Sequence, residues 1–322
     1  MSSPVLDIRG LSISYQTDTG SLQALRDVNL VVEEGRIIGI VGESGCGKST
    51  LISAIIRLLA PNAQIGQGAV NFKGGDLLGL SPEQMRSLRG DEISMVFQDP
   101  MTSLNPVLTI GRQMSDVQHR STASRAEKRA RSVMMLEQVG IPDPESQLQR
   151  YPHHLSGGMR QRVAIAMALM AEPSLLIADE PTTALDATLE VQIIHRLKEL
   201  QREFGCSILF ISHHLGVIAE LCDEVVVMYA GEVVEAGSLR DVFMNPKHPY
   251  TQKLLECDPA RIAQPTRELP VIEGSLPNLV NLPNGCIFRE RCSNAVSRCG
   301  AERPLLSGDG HQAACHLPDT SP

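Results

Sequence analysis

This chain lacks several features that mark whole classes of protein. Its 322 residues include no tryptophan, four tyrosines and six phenylalanines. Nowhere do 18 apolar residues follow one another, and the N-terminal region has no apolar core of the kind found in secretory signal peptides. Because the sequence shows neither a membrane-spanning pattern nor a signal-peptide pattern, it predicts a soluble cytoplasmic protein that associates with a membrane only through a partner.

Positive charge is also scarce. The formal net charge is −8, which argues against a general nucleic-acid-binding protein. Basic residues concentrate in residues 119–131, where helix-forming residues accompany them. Such a stretch is most often a solvated helix face, with contact to anionic lipid or to a partner as the alternative. The sequence shows no internal repeat, and each motif described below occurs once.

A glycine-rich loop follows the apolar residues 36–41. Its spacing matches G-x-x-x-x-G-K-[ST], in which backbone N–H groups surround phosphate oxygens and the next helix directs its positive end at them. We predict that Lys48 reaches the β and γ phosphates of a nucleotide and that the Ser49 hydroxyl ligates Mg²⁺. A glycine-rich turn with a chance lysine is the alternative. The predicted phosphate-binding residues are Gly42, Glu43, Ser44, Gly45, Cys46, Gly47, Lys48, Ser49 and Thr50.

One residue of this loop carries a thiol. Cys46 stands beside the expected helix N-terminus, where a thiolate is favoured. The sequence therefore predicts that a thiol reagent modifies Cys46 and blocks nucleotide binding, and that ATP protects the thiol.

A second apolar run, residues 174–178, ends in two carboxylates. Ligands of open α/β sheets bind at the carboxyl ends of strands, so Asp179 and Glu180 are placed where they can act. We predict that Asp179 holds Mg²⁺ through water and that Glu180 is the general base for the attacking water. The alternative is an acidic pair that caps the turn before Pro181.

Two further polar residues follow apolar strands. Gln98 comes after residues 95–97, and its neutral amide can touch both Mg²⁺ and the attacking water without adding charge. His213 follows the apolar residues 208–211 and one serine. At the end of this predicted strand, its imidazole can hydrogen-bond the γ-phosphate. A lone histidine at a strand end is more often structural, but the order of the motifs favours the functional interpretation.

These motifs occur in a characteristic order. A Leu-Ser-Gly-Gly-Met segment at residues 155–159 precedes the strand that ends in the acidic pair. This order resembles the nucleotide-binding subunits of ABC transporters, and the residues that carry the resemblance are 42–49, Gln98, 155–159, Asp179, Glu180, 184–186 and His213. More narrowly, residues 97–106 and 248–255 resemble the dipeptide/oligopeptide importer subfamily.

The resemblance covers nearly the whole chain and implies its fold class. That class is an α/β P-loop NTPase, an ABC nucleotide-binding domain with an inserted helical subdomain and a small loop-rich C-terminal domain. We expect the ATP-binding domain at residues 1–235, with the helical subdomain at about residues 99–165. Residues 236–322 then form a C-terminal domain of the oligopeptide-importer type.

The resemblance also implies roles for further residues. ATP is held between two subunits in this family, so Ser156, Gly157 and Gly158 would bind the γ-phosphate of ATP held by the opposite subunit. Tyr15 matches the family position whose ring stacks on adenine, with a strand-face residue as the alternative. The family usually has aspartate after the switch histidine, whereas this chain has His214, and we expect that change to tune activity rather than abolish it.

The chain changes character near residue 236, beyond which prolines are dense and periodicity fades. In a reducing cytoplasm, the four cysteines of this region favour a metal site over disulfides, with plain reduced thiols as the alternative. Their spacing is neither that of usual zinc sites nor that of ferredoxins. Similarity to peptide importers with cysteine-rich tails favours a [4Fe–4S] cluster ligated by Cys286, Cys292, Cys299 and Cys315.

The predicted function is that of an ATP-hydrolysing subunit that powers uptake of di- or oligopeptides. The resemblance implies a peripheral position on the cytoplasmic face of the inner membrane. It also implies three kinds of partner: a second, related but different ATPase subunit, two membrane permease subunits and an external solute-binding protein. Nucleic acid is not an expected partner. The alternatives are the same machinery for nickel or another small solute, a soluble ABC ATPase, and a redox or iron sensor in which the cysteines are the functional part.

Overall fold

The computed structural model describes residues 4–99, 103–183, 187–259 and 270–317. Within these ranges the strands are β1 (Leu6–Thr17), β2 (Gly20–Val32), β3 (Ile37–Val41), β4 (Ala63–Phe72), β5 (Gly75–Asp76), β6 (Ile93–Val96), β7 (Leu175–Asp179), β8 (Ser207–Ile211), β9 (Glu224–Tyr229), β10 (Glu232–Ser238) and β11 (Gln312–Ala313). The helices are α1 (Lys48–Ile55), α2 (Pro82–Leu88), α3 (Ile110–Val117), α4 (Arg125–Gln138), α5 (Pro144–Gln147), α6 (Gly157–Met170), α7 (Ala187–Phe204), α8 (Leu215–Leu221), α9 (Leu239–Met244), α10 (Pro249–Glu256) and α11 (Ser297–Ala301). Short 3₁₀ turns lie at Pro152–His154 and Arg289–Arg291.

The chain divides into two compact units. The first joins the residues up to Leu80 with those from Ser212 onward, and the second is Ser81–Ile211. The first unit therefore combines the N-terminal strands with the C-terminal region.

The first unit contains two groups of paired strands. β2, β1, β4 and β5 form an antiparallel sheet in that order. β3 pairs in parallel with β9, while β10 pairs antiparallel with β9 and with β11. All five residues of β3 are buried, as expected of a parallel strand covered on both faces.

Aromatic side chains join β9 to the C-terminal region within the first unit. Tyr229 ends β9, and its ring lies 4.7 Å from that of Tyr250 on α10 and 5.1 Å from that of Phe288. Tyr250 and Phe288 are both essentially inaccessible to solvent. In a chain with few aromatic residues, this cluster gives the loop-rich C-terminal region a hydrophobic anchor.

The second unit holds three parallel strands and most of the longer helices. β7 pairs with β6 and with β8, and all five residues of β8 are buried. α4 packs against α3, α5 and α6. Ser124 and Glu127 form a capping box at the start of α4, in which each side chain accepts the other residue's backbone N–H.

Among the described residues, none of the helices is both long enough and apolar enough to cross a membrane.

Candidate nucleotide site

The predicted phosphate loop connects β3 to α1 in the first unit. Gly42 has a φ of 150°, and a Cβ at this position would meet the Met228 carbonyl oxygen at 2.1 Å, so a side chain has no room here. Gly47 takes a φ of 105° immediately before α1, which a side chain would also strain. These two glycines set the turn, and α1 begins at Lys48 with its positive end toward the loop.

The Lys48 ammonium is held by the loop itself. Its Nζ donates to the carbonyl oxygens of Gly42, at 2.6 Å, and Glu43, at 3.1 Å. Carbonyl bonds of this kind keep the side chain folded back over the loop, where an incoming phosphate can exchange with them. Ser49 is exposed, as a hydroxyl that ligates a cation has to be.

Cys46 does not have the environment expected from the sequence. The side chain is inaccessible to solvent, and this burial raises the pKa of its thiol above the ordinary value, although Lys48 Nζ lies 3.5 Å from Cys46 Sγ. The prediction that the helix N-terminus favours a thiolate here is therefore wrong, because desolvation outweighs the nearby positive charge.

Tyr15 and His213 lie in the same unit as the loop. Tyr15 is half-buried on β1, and its hydroxyl donates to Thr50 Oγ1 over 3.4 Å, which places it beside the first turn of α1. The neighbour of His213, Ser212, donates its N–H to the Ile40 carbonyl in β3 at 3.4 Å. His213 is exposed, and its ring makes an edge contact with that of His214 at 4.4 Å.

The second unit brings two predicted residues into direct contact. Gln98 Nε2 donates to Glu180 Oε2 at 3.0 Å. Thr183 Oγ1 donates to the same carboxylate oxygen at 3.2 Å, and the Glu180 N–H donates to the Ile211 carbonyl at 2.9 Å. The amide and the carboxylate thus lie within hydrogen-bonding distance, as a water-positioning pair requires.

Glu180 also has an unusual backbone. Its φ is 45°, in the left-handed region that a residue with a side chain adopts at a cost. The residue follows directly on β7, whose last residue is Asp179. Such strain at a strand end persists where the surrounding contacts hold it, and here Gln98 and Thr183 both donate to the Glu180 carboxylate.

The Leu-Ser-Gly-Gly-Met segment forms the start of α6. Ser156 is the N-cap residue, and its hydroxyl accepts the Met159 N–H at 3.3 Å. Ser156 is exposed, and nothing lies within 4 Å of a Cβ built at Gly157. The first turn of a 14-residue helix is therefore open to a ligand from outside the unit.

The structure places the predicted residues in two sets, one in each unit. The first unit holds Tyr15, residues 42–50 and His213, and the second holds Gln98, residues 156–158, Asp179 and Glu180. Residues 184–186 and 100–102, which belong to motifs of the resemblance, lie outside the described residues.

Tyr250, in the motif at residues 248–255, and Arg291 both contact the loop, a role that the sequence indicated for neither of them. The Glu43 N–H donates to the Tyr250 hydroxyl at 2.9 Å. Arg291 makes a two-bond ion pair with the Glu43 carboxylate, at 2.7 and 3.1 Å. Hydrogen bonding to Glu43 raises the pKa of the Arg291 guanidinium above its ordinary value, although burial acts in the opposite direction. Both residues are more than 200 positions from the loop, so no local pattern could have identified them.

The four C-terminal cysteines lie near one another. The Cys286 N–H donates to the Cys299 carbonyl at 2.8 Å. Burial raises the pKa of the Cys286 thiol to about 11, and the nearby thiols of Cys299, Cys315 and Cys292 add to the shift. In the part of the chain that the structure describes, however, no three His, Cys, Asp or Glu side chains are arranged to hold a metal ion. The predicted iron–sulfur cluster is therefore not supported by this geometry.

Two known families match parts of this chain. Residues 25–183 match the ABC transporter family, and residues 234–299 match the family described as oligopeptide/dipeptide transporter, C-terminal region. Among solved structures, the dimeric ATP-binding cassette MJ0796 bound to ADP and Pi is 30% identical with a TM-score of 0.66. The match covers 73% of this chain and 99% of that one.

Curated relatives match over nearly their whole length. The chain is 47% identical to the probable D,D-dipeptide transport ATP-binding protein DdpD of Escherichia coli, over 99% of this chain and 98% of the relative. It is 46% identical to the oligopeptide transport ATP-binding protein OppD of Salmonella typhimurium, over 98% and 94% of the two chains. The chain therefore belongs to the family of ABC-transporter ATP-binding proteins that carry the oligopeptide/dipeptide transporter C-terminal region. The α/β P-loop fold is confirmed, and ATP and Mg²⁺ are the ligands of such a domain.

Proposed function

We propose that this chain is the ATP-hydrolysing subunit of an ABC importer that energises the uptake of di- or oligopeptides across the cytoplasmic membrane. The observation that carries the proposal is the Gln98–Glu180 pair, in which a carboxylate on a residue of positive φ accepts a hydrogen bond from a neutral amide. The peptide-transport names of relatives that are 46–47% identical support the substrate class.

The proposed chemistry gives each predicted residue one role. Lys48 and the loop N–H groups bind the phosphates, and Tyr15 stacks on adenine. Mg²⁺, held by Ser49, Gln98 and Asp179, would supply neutralisation of phosphate charge. Glu180 takes the proton of the attacking water, Gln98 orients that water, and His213 hydrogen-bonds the γ-phosphate.

The exposed start of α6 supports a site shared between two ATPase subunits. Ser156, Gly157 and Gly158 would bind ATP held by the partner, because backbone N–H groups at a helix N-terminus attract anions. We propose a related but different chain as that partner.

An apolar cavity in the second unit supports contact with a permease subunit. Phe97 is 45% exposed, and it borders a cavity of about 250 Å³ lined also by Leu104, Val117 and Met167. An exposed phenylalanine beside an apolar cavity suits a short helix of another chain. We propose two permease subunits, a peripheral position on the cytoplasmic face of the inner membrane, and an external solute-binding protein.

The proposed domain organisation follows the family matches. Residues 1–235 form the ATP-binding domain, with a helical subdomain at about 99–165, and residues 236–322 form the C-terminal domain. The matches to residues 25–183 and 234–299 support this division.

The decisive experiment is transport by the reconstituted complex. Proteoliposomes that contain this chain, its ATPase partner and both permease subunits, with the solute-binding protein added outside, should take up a labelled peptide only when MgATP is enclosed on the side that the ATPases face. Uptake of a nickel complex, tested in parallel, distinguishes import of peptides from import of nickel. ATP hydrolysis without uptake of any cargo would instead favour an ABC ATPase outside transport.

A metal role for the four cysteines remains a separate proposal. The mutual proximity of their thiols supports it, while the absence of a metal-ligating arrangement among the described side chains argues against it. Protein purified without oxygen should contain about four iron and four sulfide per chain if a [4Fe–4S] cluster is present. If the protein contains zinc instead of iron and sulfide, the proposed metal is zinc. If it contains no metal and all four thiols titrate freely, the proposal of a metal site is wrong.

A further inference from the structure

Glu43, the second residue of the phosphate loop, has every polar group engaged. Its carbonyl accepts Lys48 Nζ at 3.1 Å, and its N–H donates to the Tyr250 hydroxyl at 2.9 Å. Its carboxylate accepts two bonds from Arg291, at 2.7 and 3.1 Å. Two of these three partners belong to the C-terminal part of the chain rather than to the loop.

Arg291 is held independently of Glu43. Its Nε donates to the Glu273 carbonyl at 2.8 Å, and its Nη2 donates to the Ile272 carbonyl at 2.9 Å. Its Nη1 also reaches the Tyr229 hydroxyl at 3.3 Å, and the guanidinium lies over the Tyr229 ring. The side chain is 5% exposed. All five guanidinium donors thus have partners, so Arg291 is a rigid fork rather than a mobile surface charge.

The carboxylate of Glu43 is unfavourable for a loop that receives phosphates. An unpaired negative charge there would repel the nucleotide, because the effective dielectric near a partly buried site is well below that of water. The buried Arg291 makes two bonds to the partly exposed Glu43 carboxylate, which cancels that charge and fixes the residue whose carbonyl holds Lys48. The pair formed by Arg298 is different, because Arg298 contacts Glu302 on the surface and both side chains are more than half exposed.

We propose that Arg291 is a positioning residue for the phosphate loop, so that ATP affinity depends on the C-terminal segment that carries this arginine. The pair with Glu43 holds the start of the loop in place and removes a charge that would oppose phosphate binding. The inference rests on the proposed function in one respect, namely that the loop binds ATP.

The test compares variants in the full transport complex by the KM and kcat of ATP hydrolysis. Arg291→Gln should raise KM about tenfold, the size expected from one uncompensated charge near a polyanion, and change kcat less than about twofold. In Glu43→Gln/Arg291→Gln no charge is left unpaired, so KM should return to within about threefold of the wild type. Arg298→Gln breaks an exposed pair in the same region and is the matched control, with an unchanged KM.

Two results would overturn the inference. One is an unchanged KM in Arg291→Gln. The other is a KM in the double variant as high as that in Arg291→Gln, because Arg291 would then stabilise only the C-terminal segment and not the phosphate loop. If thermal unfolding shows that Arg291→Gln does not fold, Glu43→Gln is the second test. It leaves the positive charge of Arg291 uncompensated near the phosphates, so KM should fall, and a wild-type KM in that variant also overturns the inference. A wild-type complex that neither binds nor hydrolyses ATP overturns the proposed function and this inference together, whereas normal wild-type kinetics with unchanged variants overturn the inference alone.

Discussion

At the scale of single residues, backbone geometry and burial decide what each side chain can do. Glu180 follows directly on a buried strand, where its left-handed backbone and the bonds from Gln98 and Thr183 hold its carboxylate. Cys46 lies in the phosphate loop, yet it is fully buried. The nearby helix N-terminus therefore has little effect on the thiol. Desolvation of a thiolate costs more free energy than the electrostatic interaction with the helix N-terminus provides.

Replacing Glu180 with glutamine should nearly abolish turnover while ATP still binds. The amide keeps the shape of the side chain and its bond to Gln98, but it cannot accept a proton, a loss of roughly 10²–10⁴ in rate. ATP hydrolysis by the assembled complex and equilibrium binding of MgATP measure the two effects. Glu203→Gln, an exposed glutamate on α7, is the matched control. Near-normal hydrolysis by the assembled Glu180→Gln complex would remove Glu180 from the role of base.

Alkylation of Cys46 should be slow at neutral pH and should accelerate as the pH rises. The raised pKa leaves little thiolate at neutral pH, so the rate keeps rising beyond the ordinary thiol value of 9.0. Peptide mapping by mass spectrometry after timed alkylation follows Cys46 and the less buried Cys257 in one sample. Modification of Cys46 ahead of Cys257 at neutral pH would contradict this expectation.

At the scale of helices and strands, the functional positions lie where elements begin or end. Ser156 caps α6, the glycines of the phosphate loop precede α1, and His248 caps α10. At the last of these, His248 Nδ1 accepts the Tyr250 N–H at 3.0 Å, and the His248 N–H donates to the buried Glu235 carboxylate at 2.9 Å. Because α10 carries Tyr250, this cap helps to hold the hydroxyl that contacts the phosphate loop.

The stability of the chain should fall as the pH drops below 6.5, in part through His248. Burial lowers the pKa of His248 from 6.5 to about 3, so in this window the unfolded chain binds a proton that the folded chain excludes. The contribution is fully present above pH 6.5 and is lost toward pH 3, at up to about 1.4 kcal/mol per pH unit. His248→Asn keeps a side-chain acceptor for the cap but does not titrate, so its stability should depend less on pH.

Thermal unfolding of the full chain at about pH 7 and about pH 5.5, before most carboxylates titrate, measures this difference. An equal pH dependence in the wild type and His248→Asn would show that His248 is not the group responsible.

At the scale of the whole molecule, the C-terminal region belongs with the N-terminal strands. The Gln23 N–H donates to the Leu279 carbonyl at 2.9 Å, and Arg303 pairs at 3.0 Å with the buried Glu232, which also pairs with Arg26. These contacts and the Arg291 pair tie the loop-rich region to the unit that carries the phosphate loop. Changes in the C-terminal region can therefore reach the phosphate loop through direct contacts with Glu43.

The start of α6 should contact nucleotide only in the assembled complex. Ser156 is exposed at the N-terminus of a long helix, where N–H groups attract phosphate, and we propose that the phosphate comes from the partner's ATP. An ATP analogue with a photoreactive group on its γ-phosphate should label the peptide that contains Ser156 in the complex and not in the isolated chain. Equal labelling in the isolated chain would contradict a site shared between subunits.

The sequence by itself determined those features that depend on consecutive residues. The loop from Gly42 to Ser49 and the cap at Ser156 follow from local pattern, because glycine permits positive φ and a serine hydroxyl reaches only its own helix turn. The apolar runs likewise indicated buried strands ahead of Lys48 and of Glu180, since parallel strands are covered on both faces.

Only the tertiary structure decided what depends on distant parts of the chain. The burial of Cys46 depends on packing that its neighbours in the sequence do not indicate. The ion pair between Glu43 and Arg291 joins residues that are 248 positions apart. The four C-terminal cysteines make the same point, since their number and setting favoured a cluster whereas their described arrangement does not form a metal-ligating group. The physical reason is that desolvation and ion pairing are set by packing in space, which the order of residues does not express locally.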